Sequence, residues 1–306
     1  MNTDALLFNS ISYLAAPAVF GIINKTKAWF GGRKGAPVLQ PYFDIAKLLK
    51  KGIVYSVTST WIFRAGPVFI LAAAAFSLML IPVAHVPSAI SFSGDLFLLA
   101  GLFALMKFVA VIAALDTGSS FEGMGASREM LLSVLAEPAL FLLFGALLLL
   151  TGGTSISEIL NSNLTSLWAS GNGATLAVIC AGLFLLLLAE NSRIPVDDPD
   201  THLELTMIHE VMILDSSGPD LAYLQYAAAL KLWVFASLIV SIVMPFHTAN
   251  HLLSFIFYFA GISAVALVIG AAESSMARLK LTHLPNMMIF ASLTGVMSIA
   301  LALALR

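Results

Sequence analysis

Cysteine is nearly absent: Cys180 is the only one in 306 residues. One thiol forms no internal disulfide and cannot hold an iron–sulfur cluster alone. Any redox metal serving this chain therefore belongs to a partner subunit. Charge is scarce as well. Asp, Glu, Lys and Arg make up 10% of the residues, with a formal net charge of -2. So small a balance says little about partners; the placement of the charges carries the signal. The glycines of the first loop do not make a phosphate loop, because the G-K-S/T ending is missing. No serine nucleophile elbow and no dinucleotide fingerprint occur either. There is no internal repeat and no low-complexity linker. No basic segment precedes the first apolar run at Ala5, which reads as a helix rather than a cleaved signal.

What the chain has is apolar residues, 59% of the total, where soluble domains sit near about 45–50%. The expectation is an all-α polytopic membrane protein, a single membrane domain over 1–306. A membrane helix needs roughly 20 mostly apolar residues. Spans are expected near Ala5–Ile23, Arg64–Ala84, Leu96–Leu115, Val134–Leu150, Ala174–Ala189, Leu221–Met244, Leu252–Ala272 and Asn286–Leu305. The fourth and fifth are short and invite extension by neighbouring turns.

Basic residues give an orientation. The first loop (24–63) and its border carry Lys25, Lys27, Arg33, Lys34, Lys47, Lys50, Lys51 and Arg64. The third loop (116–133) carries Arg128, the fifth (190–220) Arg193, and the seventh Arg278 and Lys280. The even-numbered loops carry none. Excess Lys and Arg marks the cytoplasmic side, so both termini are expected outside and the long polar loops inside.

The fifth loop collects acids: Glu190, Asp197, Asp198, Asp200, Glu204, Glu210, Asp215 and Asp220, against the single base Arg193. It reads as the lining of a cavity at the membrane surface, coupled to a partner's chemistry. A solvated connector is the other reading. A metal site using His202 and His209 is disfavoured by spacing, because two helical turns separate them.

An ionisable group within a span costs at least ~2.5–3.5 kcal/mol, so it usually pairs, faces a cavity or works. Lys107 lies deep in the third span and Lys231 in the sixth. Glu137 opens the fourth, where Pro138 after it suits a first helical turn. Glu190 closes the fifth and Glu273 the seventh. Desolvation and opposite charges push such groups in opposite directions, so a row of them can exchange protons. Structural ion pairs, or lysines reaching the interface, are the plainer alternative. In the first loop, Ile45, Leu48 and Leu49 mark the apolar face of a short amphipathic helix beside Lys47, Lys50 and Lys51.

These motifs together resemble one family. Arg33–Lys50, R-K-G-A-P-V-L-Q-P-Y-F-D-I-A-K-L-L-K, resembles the R-x-G-P…Q…D-x-x-K-L segment of the heel subunit of respiratory complex I and its hydrogenase relatives. Glu190–Leu205, E-N-S-R-I-P-V-D-D-P-D-T-H-L-E-L, is similar to its charged loop. Leu115–Glu129 with Ala136–Pro138, and Ala272–Leu279, resemble the formate hydrogenlyase branch. Val196, Asp198 and His202 depart from the usual Phe, Leu and Glu.

The resemblance implies eight helices and a non-catalytic membrane subunit of an energy-converting nickel–iron hydrogenase or formate hydrogenlyase. Iron–sulfur clusters, and a nickel–iron centre, would lie in partners. Those partners would be hydrogenase-like large and small subunits, an iron–sulfur subunit and antiporter-like membrane subunits, in a bacterial or archaeal cytoplasmic membrane. It implies a redox-arm loop of Arg193, Asp197, Asp200 and Glu204, in which Asp198 and His202 are included by position although they depart from the pattern. The proton path would be Glu137, with Lys107, Glu190, Lys231 and Glu273. A further cytoplasmic motif would comprise Arg33, Gln40, Asp44, Lys47, Asp116, Arg128 and Glu129. A related complex without hydrogenase activity, quinone- or formate-linked, and a stand-alone secondary transporter are the alternatives.

Overall fold

The computed structural model describes residues 3–84, 86–162, 164–197, 207–245 and 251–305. Asp198, Asp200, His202 and Glu204 lie outside the described residues. Helices follow in the order α1 (Thr3–Phe30), α2 (Gln40–Leu49), α3 (Trp61–Met79), α4 (Asp95–Asp116), α5 (Ser120–Thr151) and α6 (Ile156–Leu160). Then come α7 (Leu164–Ala169), α8 (Gly173–Glu190), α9 (His209–Met212), α10 (Gly218–Val243), α11 (His251–Ser275) and α12 (Leu284–Ala304). Eight of these are long and apolar enough to cross a membrane, as expected: α1, α3, α4, α5, α8, α10, α11 and α12.

The span that departs most from its expected bounds is α5. Apolar runs alone extend the third loop to 133, yet only 117–119 separate α4 from α5. Gly118, at φ +72°, turns the chain, and Ser119 is extended. From Ser120 onward no proline intervenes until 138, while Ala126, Arg128, Glu129, Met130 and Leu131 all favour helix. Tertiary packing reinforces it. A Cβ on Gly125 would meet Val211 Cγ1 at 2.2 Å, so α9 lies directly on this turn. Glu137 therefore does not open a helix. It sits mid-α5, and Pro138 is inside the helix, where its ring and missing N–H loosen the preceding turn. In the first loop, α1 continues to Phe30, about two turns past its expected end. The expected amphipathic helix is α2, opened by Pro41; Ile45 and Leu48 are half-buried but Leu49 is exposed.

The bundle is arranged around α10. In its most apolar stretch 78% of residues are buried, against 33–50% in the other spans. It packs against α1, α3, α8 and α11, while α12 lies on α5 and α8. Such close approach needs small side chains. A Cβ on Gly182 of α8 would meet Thr294 Oγ1 of α12 at 2.5 Å and Leu143 Cδ2 of α5 at 2.8 Å.

The spans alternate, giving two distinct faces. On one face Asp116, ending α4, accepts hydrogen bonds from the Thr60 N–H (2.7 Å) and Phe63 N–H (3.2 Å) that open α3. On the other, Asp95 Oδ1 at the start of α4 accepts from the Ile156 N–H (2.7 Å), and Trp168 Nε1–H donates to the Ile242 carbonyl (2.8 Å).

Candidate functional site

Lys107, Glu190 and Lys231 come from three different helices and meet at one point. The Lys107 ammonium lies 2.5 Å from Glu190 Oε1. The Lys231 ammonium makes an ion pair with Glu190 Oε2 at 2.8 Å and aims its hydrogen bond at the main-chain carbonyl of Glu190, 2.6 Å away. Position explains the second contact. Glu190 is the last residue of α8, where carbonyls lack helical partners and the helix end is electronegative. A cation arriving from α10 satisfies both needs. Glu129 of α5 stands 4.0 Å from Lys107 and completes the group. Lys107 and Glu190 are buried, and the side chains of Lys231 and Glu129 are each 12% exposed. Two cations and two carboxylates balance, the condition under which buried charge is tolerable.

Glu137 lines a cavity of about 140 Å³ together with Lys107 and Glu190, and its charge acts on Lys107 across it. A second cavity, of about 100 Å³, is lined by Lys107, Glu129, Glu190, Lys231 and His209. A third, of about 500 Å³, is lined by Asp44, Arg193, Asp197, His209 and Glu210. The second and third share Asn191, Ser192 and His209 as a common wall. The cavities thus form a row from the loop face into the bundle, and volumes of this size admit water where polar partners exist.

Glu273 is not part of this cluster. It forms a second one, pairing with Lys27 of α1 (3.2 Å) and with Arg193 (3.4 Å), whose guanidinium lies 4.6 Å above the Phe20 ring. Asp197 is likewise held. Arg278 reaches Oδ1 at 2.9 Å, and Oδ2 accepts from the Ile208 and His209 N–H groups at 3.1 and 3.0 Å. The Leu279 N–H adds a bond to the Pro195 carbonyl (2.9 Å). The start of the acidic loop is therefore fastened to α1 and to the segment after α11.

The remaining expected residues are dispersed. Gln40 Nε2–H donates to Asp44 Oδ1 (2.9 Å) along α2, leaving Asp44 at the mouth of the largest of these cavities. Lys47 is exposed on α2. Arg33 lines a separate groove beside the end of α1. Asp116 caps α3 and belongs to the scaffold. Arg128 donates to the Met207 carbonyl (2.7 Å), which ties α5 to the loop before α9.

Sequence reasoning missed Lys27 as the partner of Glu273, because the expected first span stopped a turn short of it. It also missed Asn191, Ser192 and the buried Glu122, whose Oε1 accepts from the Asp215 N–H (3.0 Å). The signal for Lys27 was present: a deep carboxylate demands a cation within reach. Among the described residues no three His, Cys, Asp or Glu side chains gather as a metal site.

The NADH dehydrogenase family pattern matches residues 4–304, nearly the whole chain. The chain belongs to the NADH dehydrogenase family. Formate hydrogenlyase subunit 4 of Escherichia coli (strain K12) is 32% identical over 283 residues, covering 90% of this chain and 90% of that protein. Hydrogenase-4 component C of the same organism is 34% identical over 242 residues, covering 79% and 75%. A subunit of the NADH-quinone oxidoreductase of Orientia tsutsugamushi (strain Ikeda) is 29% identical over 178 residues, covering 57% and 50%. In fold, the chain is similar to one in the membrane-bound sulfane sulfur reductase, an archaeal respiratory membrane complex. The TM-score is 0.83 at 22% identity, over 97% and 98% of the two chains. As a member of the NADH dehydrogenase family the chain is a multi-pass membrane subunit of the oxidoreductase-complex type. Cys180, half-buried within α8 and without a second thiol, does not fit an iron–sulfur cluster.

Proposed function

We propose that this NADH dehydrogenase family member is the non-catalytic subunit that joins an iron–sulfur redox arm to an ion-translocating membrane arm, in a complex of the formate hydrogenlyase or hydrogenase-4 type. Its partners are hydrogenase-like large and small subunits, an iron–sulfur subunit and antiporter-like membrane subunits. Metal centres, a nickel–iron site included, belong to those partners. The loop face carries the basic residues and is cytoplasmic, with both termini outside.

One observation carries the reading. Lys107 and Lys231 share the carboxylate of Glu190 at the inner end of a row of cavities that begins at the loop face. A charge moving near that face biases Arg193, Asp197 and the buried cluster, because interactions in a low-dielectric interior are strong. Protons pass from the cluster to Glu137 and leave toward the antiporter-like arm. Glu273 serves as the fastening of the loop and its electrostatic link to α1, rather than as a serial carrier. Asp198, Asp200, His202 and Glu204 extend the redox-facing loop.

The test is Glu137→Gln in the assembled complex. Electron transfer is expected to persist while ions translocated per electron fall to background. Unchanged translocation removes Glu137 from the path. Copurification separates this reading from a stand-alone transporter, which would emerge without iron–sulfur partners.

A further inference from the structure

Beside the charged clusters lies a basic groove that the coupling role does not use. After Phe30 the chain folds straight back on α1. The Gly31 N–H donates to the Lys27 carbonyl (3.0 Å), the Gly32 N–H to Trp29 (3.0 Å) and the Arg33 N–H to Ala28 (2.8 Å). Gly32 and Gly35 make this possible, at φ +65° and +63°, a region L side chains seldom occupy. A Cβ on Gly35 would also meet that of Ala28 at 2.4 Å. The return sets Arg33 and Lys34 beside Lys25, whose ammonium donates to the Lys34 carbonyl at 2.6 Å. An ammonium has three donors, so Lys25 keeps hydrogen-bonding capacity for a ligand.

The three cations rim a groove of about 820 Å³ between α1 and α11. Its floor is Leu267, Val268 and Ala271 of α11, with Leu267 51% and Val268 54% exposed. Trp29 and Phe30 form the side wall and are largely exposed. Among the described residues no carboxylate lines it. The nearest acid in sequence, Glu273, is wholly buried and engaged with Lys27 and Arg193.

We infer that this groove seats an anionic phospholipid, its phosphate held by Lys25, Arg33 and Lys34 and an acyl chain laid on Leu267 and Val268. Charge complementarity selects an anion, since among the described residues three cations and no acid line the groove. The apolar floor belongs to a membrane span, which suits a hydrocarbon chain and not an acidic peptide. Exposed Trp and Phe at a span end belong to the headgroup level of a bilayer. The lipid wedges between α1 and α11, the two helices that carry Lys27 and Glu273.

The test uses the purified, assembled complex with spin-labelled phosphatidylglycerol and phosphatidylcholine, read by electron spin resonance. The native complex is expected to prefer phosphatidylglycerol. K25Q/R33Q/K34Q is expected to abolish that preference, since each basic group near an anionic headgroup contributes to the attraction. K25R/K34R should preserve it, which guards against misfolding as the cause. K47Q/K50Q/K51Q, on α2, should preserve it too. Equal loss in the α2 variant, or no loss in the groove variant, overturns the proposal. Displacement of the label by inorganic phosphate, but not by sodium chloride of equal ionic strength, also overturns it, in favour of a free anion.

Discussion

Replacing Glu190 by Gln removes one negative charge and almost no volume. Its carboxylate faces two ammonium groups, at 2.5 Å from Lys107 and 2.8 Å from Lys231. At an effective dielectric constant of about 20, unit charges 3 Å apart attract by about 5.5 kcal/mol before desolvation. Desolvation offsets much of this, and removing one partner of a buried pair costs ~3–5 kcal/mol overall. The loss here is expected near the lower end, because Lys231 keeps the main-chain carbonyl and Lys107 keeps Glu129 at 4.0 Å. Gln adds a further penalty, since its amide N–H₂ must face an ammonium donor. The denaturation midpoint of the purified complex should report the loss. A cycle with Lys107→Gln tests its origin: the double variant should recover part of the cost, with a coupling of about 1–3 kcal/mol. Ion translocation per electron, measured in proteoliposomes, should fall together with the single substitution. The reasoning is refuted if Glu190→Gln leaves the midpoint unchanged and the cycle couples by less than about 0.5 kcal/mol, below which the sites count as independent.

Asp116→Asn weakens the charge-assisted cap on α3, at an expected ~1–2 kcal/mol, seen as a lower midpoint with translocation stoichiometry intact. Arg278→Gln releases Asp197 and should speed amide exchange at Ile208 and His209, whose N–H groups Asp197 holds; unchanged exchange would mean that the backbone bonds alone suffice. Gly270→Leu would push Thr26 apart from α11, a Cβ there already lying 2.7 Å from Thr26 Cβ, and should lower the yield of assembled complex. Glu158 is held below the usual carboxylate range, chiefly by the Thr154 N–H. For a depressed carboxylate the stabilisation is present above the unfolded value of 4.5 and fades as pH falls through the lower folded value. Exchange protection in α6 should therefore drop in acid, and Glu158→Gln should abolish that pH dependence.

The count of spans was legible because apolar runs of about 20 residues, separated by charge, have few other solutions. The charged residues worth attention were legible for the same reason, and Lys107, Glu190 and Lys231 do meet. Their grouping was hidden, since it depends on how helices far apart in sequence pack around α10. The length of α5 was hidden too: Arg128 and Glu129 look like loop residues, but Glu129 finds Lys107, and Arg128 the Met207 carbonyl, from a continuous helix. The pairing of Glu273 with Lys27 and Arg193 was hidden too, because periodicity assigns a residue to a helix end and not to a neighbour.

The bond from Lys231 to the carbonyl of Glu190 has an evolutionary consequence. A main-chain atom cannot be mutated away, so Lys231 retains a partner whatever side chain stands at 190. Lys107 depends on side chains alone. Descendants of this chain that lost coupling would therefore shed positions 190 and 107 as a pair, while a lysine at 231 persisted as a relic of the earlier machine.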